Sequence, residues 1–96
     1  MSIIVNVNVR AKPGHAEALA RGILEAQKLA LVETQNQAAS VLRNADDEHQ
    51  LVIHEVWDSR EAYEAFNRRV FTMPEVSGLM HMIEGELDYR YFEMVG

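Results

Sequence analysis

Few groups in this 96-residue sequence could move a proton at neutral pH. They are four histidines, His15, His49, His54 and His81, and a small number of carboxylates in protected positions, with Glu55 foremost. Glu55 alternates in phase with Trp57, so the two share one face of a strand, and burial there would raise the carboxyl pKa toward a range useful to a general base. A structural salt bridge is the other role open to it. His15 and His49 fall at a helix start and in a turn, where surface exposure is the ordinary expectation. His54 lies on the opposite strand face from Trp57, alongside Asn6 and Asn8, and reads as a satisfied histidine in a contact between subunits. His81 follows Met80 on the last helical stretch and could face either a pocket or solvent, which leaves it beside Glu55 as a candidate proton acceptor.

Other chemistries find little material. Cysteine is absent, which removes disulfides, thiolate nucleophiles and thiolate metal ligands. His54-Glu55 begins like a zinc-protease motif, but the fourth residue after His54 is Asp58 and the segment has strand alternation. His81 and Glu84, three apart, make half a metal site. The acidic run Asp46-Asp47-Glu48 reads as a solvated turn, and Gly14, Gly22, Gly78, Gly85 and Gly96 are too scattered to cradle a phosphate. A net charge of −6, from 9 basic and 15 acidic side chains, works against nucleic-acid binding. No apolar run approaches the ~20 residues of a membrane span. The opening MSIIVNVNVR does not read as a signal peptide, and a cytoplasmic location is the simplest expectation.

The elements that must position these groups follow from periodicity. Ile3, Val5, Val7 and Val9 alternate with more polar residues and predict a strand ended by Lys12-Pro13-Gly14. Ala16, Leu19, Ala20, Ile23, Ala26, Ala30 and Leu31 recur at helical spacing up to about Glu33, and their small side chains suit close packing on a sheet. The polar cluster Thr34-Gln35-Asn36-Gln37 ends that helix. Ala38 to Asn44 predicts a second strand, and Gln50 to Trp57 a third, with Leu51, Ile53, Glu55 and Trp57 on one face and Val52, His54 and Val56 on the other. Ser59 caps a short helix that buries Ala62, Tyr63 and Phe66, and Glu61 and Glu64 suit its positive end. A further helix from Pro74 to Gly85 would carry Val76, Leu79, Met80 and Ile83 on one side. Leu87, Tyr89 and Tyr91, with Phe92 and Met94 opposite, complete a last strand.

One domain over residues 1–96, ordered strand, helix, strand, strand, helix pair, strand, predicts an α+β ferredoxin-like βαββαβ fold with a four-stranded antiparallel sheet and helices on one side. The helix-free side would still carry Ile4, Val52, Val56 and aromatics, so a homodimer through sheet-to-sheet packing is expected.

The segments VNVRAKPG, HEVWDSREAYEAF and YRYFEMV, in that layout, resemble the antibiotic biosynthesis monooxygenase (ABM) superfamily of dimeric α+β barrels. The likeness spans nearly the whole chain and is most specific at Glu-x-Trp followed by Asp-Ser-x-Glu-Ala-Tyr. It implies a pocket between sheet and helices for a small hydrophobic or aromatic substrate, and oxidation by dioxygen with no metal, flavin or haem cofactor. In members similar to the anthrone oxygenases, proton loss makes the substrate electron-rich enough to reduce dioxygen itself, while the protein orients the ring. The resemblance gives Trp57 and Tyr63 the places of the pocket tryptophan and helix tyrosine, six residues apart; Phe66 would be another wall beside them. Trp57 could equally be the core's largest filler, its N–H bonded locally.

The sequence also departs from the family pattern. Ile53 stands where the anthrone oxygenases carry asparagine. Phe66 stands where many quinol monooxygenases carry histidine and the haem-degrading branch tryptophan. Glu75 lies near that branch's haem ligand, so haem degradation is not expected, and Thr34-Gln35-Asn36-Gln37 replaces a common corner. Loss of polar groups at Ile53 and Phe66 would suit a non-catalytic dimer that binds a small hydrophobic ligand. An isomerase or cyclase is a further alternative, because the fold serves several chemistries.

Overall fold

A computed structural model describes residues 2–96. The chain runs β1 (Ile3–Arg10), α1 (Ala16–Leu31), β2 (Asn36–Asn44), β3 (Asp47–Trp57), α2 (Arg60–Val70), α3 (Pro74–Ser77), a single 3-10 turn (Met80–Met82) and β4 (Asp88–Phe92). The strands form one antiparallel sheet in the order β2-β3-β1-β4, with the helices on one side, as the alternation predicts. No helix among the described residues is long and apolar enough to cross a membrane.

Register places the chemistry. β1 and β3 pair so that Val5 faces Glu55 and Ile3 faces Trp57, while Val5 meets Tyr91 of β4 on its other side. Side chains on these residues point to the helix side, because strand residues two apart share a face. Val5, Val7, Val9, Leu51 and Trp57 are buried there against Leu19, Ala20, Ile23 and Ala30 of α1 and Tyr63, Phe66 and Val70 of α2. Ser59 caps α2 as expected: its side-chain oxygen accepts the Ala62 N–H at 3.1 Å, a contact worth about 1 kcal/mol.

Several boundaries differ from expectation. The β2–β3 turn is Ala45-Asp46 rather than the acidic triplet, because Asn44 Oδ1 accepts the Asp46 N–H at 2.8 Å and frees Asp47 to begin the strand. α1 ends at Leu31, which is exposed, and β2 begins earlier, at Asn36, whose amide bonds the Ala38 carbonyl. β4 ends at Phe92, leaving Met94 exposed. The helix expected from Pro74 to Gly85 breaks after Ser77. Its downstream backbone is claimed by the end of β1, where Lys12 N–H donates to Met82 O at 2.9 Å and Glu84 N–H to Arg10 O at 2.7 Å. Leu79 instead lies flat against α1 over Gly22, where a β-carbon would collide with it.

Candidate active site

Between the helix-side face of the sheet, α1, α2 and the Pro74–Ile83 segment lies a cavity of about 90 Å³. Most of its wall is apolar, including Val7, Val9, Ile23, Ile53, Phe66 and Leu79. The polar groups on it are Gln27, Glu55, Tyr63, Asn67 and Tyr89.

Glu55 is 5% exposed, yet its partners are neutral N–H donors rather than a cation, which corrects the expectation of a salt bridge. The Trp57 indole N–H donates to Oε1 at 2.8 Å. On the other oxygen, Gln27 Nε2 donates to Oε2 at a long 3.4 Å while also bonding the Ser40 carbonyl at 3.0 Å. Burial pushes the Glu55 pKa up, and the two hydrogen bonds, which favour the charged form, oppose that rise only in part. The result is a carboxylate that is held in one orientation and is more basic than one in water.

Tyr63, in the first turn of α2, is 4% exposed, and its hydroxyl has no hydrogen-bond partner among the described residues. Burial chiefly, with Tyr89 and Glu55 adding, raises its pKa well above the ordinary phenol value, so it stays protonated and can donate. Asn67 donates to the Tyr89 hydroxyl at 3.2 Å. This arrangement offers an acceptor, Glu55, and a donor, Tyr63, to a ligand otherwise enclosed by hydrocarbon.

The residues singled out from sequence are not all brought together. Glu55, Tyr63 and Phe66 line the cavity, whereas Trp57, 1% exposed, stands behind them. Its ring lies 4.9 Å from Phe66 and 5.9 Å from Tyr63, centroid to centroid, and it touches the cavity's chemistry through its bond to Glu55. Its contact with the cavity is therefore indirect, made through Glu55. His81 is exposed and lies outside the lining; its Nδ1 is 2.8 Å from the Gly78 carbonyl and its ring is edge-on to His15. His54 lies on the helix-free face, with Nδ1 2.6 Å from Asn6 Oδ1. Ile53 and Phe66, the two departures from the family pattern, both line the cavity as apolar walls.

Gln27 and Asn67 also line the cavity, and each carries a signal in the sequence. Gln27 lies four residues after Ile23, in phase with the apolar stripe of α1, and Asn67 four after Tyr63 on α2. A polar side chain in phase with a buried stripe needs a polar partner inside.

A family model for antibiotic biosynthesis monooxygenase matches residues 2–70. No curated protein sequence matches the chain. Among solved structures, a protein of Nitrosomonas europaea ascribed to the antibiotic biosynthesis monooxygenases is similar at TM-score 0.87 and 15% identity, over 98% of this chain and 90% of that one. SnoaB, a cofactor-independent oxygenase from Streptomyces nogalater solved as a mutant, is similar at TM-score 0.82 and 12% identity, over 99% and 94%. Rv0793 of Mycobacterium tuberculosis gives 0.84 and 14%, over 100% and 97%. At these identities the structures share the fold, and the family match spans most of the sequence: the chain belongs to the antibiotic biosynthesis monooxygenase family.

Proposed function

We propose that this protein is a cofactor-independent monooxygenase that uses dioxygen to oxidise a small aromatic of the anthrone or quinol type, working as a homodimer joined through the helix-free face of its sheet. The observation that carries the reading is Glu55, a buried carboxylate with a raised pKa, lining one cavity with the Tyr63 hydroxyl, which bonds no other group among the described residues. For an anthrone, Glu55 takes a proton from the ring methylene, and the electron pair left behind is delocalised onto the carbonyl oxygen, to which Tyr63 donates. The resulting enolate passes one electron to dioxygen, the two radicals combine, and the hydroperoxide loses water to give a ketone. One oxygen atom enters the product and the other leaves as water with the two methylene hydrogens, so no outside reductant is needed. Trp57 and Gln27 keep the Glu55 oxygens aimed, and Phe66 and Ile53 hold the ring by contact.

Oxygen uptake by metal-stripped protein with a panel of anthrones and hydroquinones, against a no-enzyme control, tests this. Turnover above autoxidation that collapses in Glu55→Gln and falls in Tyr63→Phe is expected. The apolar walls at Ile53 and Phe66 favour a second reading, a dimer that binds a small hydrophobic ligand without reaction. Saturable binding with no oxygen uptake would establish it, and product formed without oxygen would instead reveal an isomerase or cyclase.

A further inference from the structure

The cavity has a lopsided charge. Among the described residues lining it, Glu55 is the one carboxylate, and no lysine, arginine or histidine joins it; His54, whose charge favours the Glu55 carboxylate from the next position in β3, points to the helix-free face and meets Asn6 there. The guanidinium groups stacked on nearby rings are engaged elsewhere. Arg69, 5.8 Å over Phe66, pairs with Glu33 at 2.8 Å, and Arg60, 3.8 Å over Tyr91, reaches Glu64 at 3.5 Å. Both arginines are more than half exposed, so water screens them from the cavity. What the wall offers an incoming anion is neutral: the Tyr63 hydroxyl, a Tyr89 hydroxyl whose oxygen already accepts from Asn67, and the amides of Asn67 and Gln27, the latter already donating to the Ser40 carbonyl and to Glu55.

A second negative charge beside Glu55 would therefore be buried without a counter-ion. Like charges about 5 Å apart in a protein interior repel enough to cost on the order of a hundredfold in affinity, before desolvation is added. We infer that the cavity holds one negative charge at a time: while Glu55 is ionised it admits its ligand only in an uncharged form, and an anion enters only as Glu55 takes up a proton. Resting on the proposal that Glu55 is the proton acceptor, this narrows the substrate class to neutral phenols and ketones and excludes molecules whose carboxylate must enter the cavity. When the proton moves, a ligand C–H or O–H bond breaks, its electron pair stays on the ligand, and an O–H bond forms on Glu55. The cavity carries one negative charge before the step and one after it, so the transfer needs no new counter-charge.

The test is a matched pair of probes that differ in little but charge, 6-hydroxy-2-naphthamide and 6-hydroxy-2-naphthoate, titrated calorimetrically at pH 7 under nitrogen. Wild-type protein should bind the amide on the order of a hundredfold more tightly. Glu55→Gln keeps side-chain volume and an acceptor for the Trp57 indole, and should shrink the ratio at least tenfold by admitting the carboxylate. Should that variant fail to fold, naphthalene-2-sulfonate, which stays charged at all working pH values, should bind wild-type protein more tightly as pH falls and Glu55 gains its proton. Equal affinities for the pair, a ratio unchanged in Glu55→Gln, sulfonate binding independent of pH, or no binding of the amide would each overturn the inference. Because the titrations exclude oxygen, charge selection without later oxygen uptake would remove the oxygenase proposal alone, whereas oxidation of both probes at equal efficiency would remove the charge rule alone.

Discussion

The two faces of the sheet are built from alternate residues of the same strands and treat polar groups in opposite ways. On the helix-free face, Asn6, Asn8, Gln50 and His54 are half-buried and satisfy one another. His54 Nδ1 lies 2.6 Å from Asn6 Oδ1, directly across the β1–β3 register, and Gln50 reaches Asn8 at 3.4 Å while accepting from Asn44 at 2.7 Å. On the helix side, Val5, Val7, Val9, Leu51 and Trp57 surround one carboxylate. Polarity that is paired within a face holds strands in register. A single buried carboxylate, fixed by two donors and open to a cavity, is instead equipped to exchange a proton.

The strongest way to break this contrast is to truncate one aromatic on each face. Trp57→Ala empties the largest fully buried side chain and strips Glu55 Oε1 of its donor, so a loss of about 3–5 kcal/mol is expected in urea unfolding. Phe92→Ala, on the open face and 45% exposed, should cost less than about 1 kcal/mol in the monomer. Comparable losses would show that the open face is itself a core.

The next effect separates chemistry from packing. Glu55→Gln should lower kcat for oxygen uptake about a hundredfold to a thousandfold, as loss of a general base does, whereas His54→Gln, on the other face, should leave it within about twofold. The same substitution gives a pH test of stability. Burial raises the folded pKa of Glu55 above its unfolded value, so the folded state holds this proton more tightly. Its contribution is fully present below the unfolded pKa and is lost as pH rises through the folded one. The wild type should therefore lose Tm relative to Glu55→Gln between the ordinary carboxylate range and the raised value, then run parallel to it. A difference in Tm that stays constant through that window would mean that Glu55 is not strained by burial.

Much of this was legible in the sequence, and what escaped it did so for physical reasons. The strands β1 and β3, the Ser59 cap and the shared face of Glu55 and Trp57 follow from local periodicity and capping chemistry, which the structure leaves intact. The Pro74–Gly85 helix stops at Ser77, because its apolar spacing also suits a segment whose backbone bonds the end of β1, a partner some seventy residues earlier that no local window contains. Within the site, the type and face of Glu55 were readable, but its partners were not, since Gln27 comes from α1. Trp57 was expected at the cavity wall on family likeness, and only the three-dimensional packing of Phe66 and Tyr63 places it one layer behind.

The smallest effect sharpens the comparison most, because it asks what the open face is for. Asn6→Ala removes the oxygen that His54 Nδ1 meets, at a half-buried site that water can reach in the monomer, so the expected loss is about 0.5–1 kcal/mol. If a second copy covers this face, water is excluded and the unmatched imidazole becomes more costly. The loss should then grow with protein concentration as the dimer fills, which unfolding curves recorded at low and high micromolar concentration would reveal. A loss that stays small and independent of concentration would mean that the Asn6–His54 pair only holds two strands in register, and that the proposed pairing of two copies, if it forms, rests on other residues.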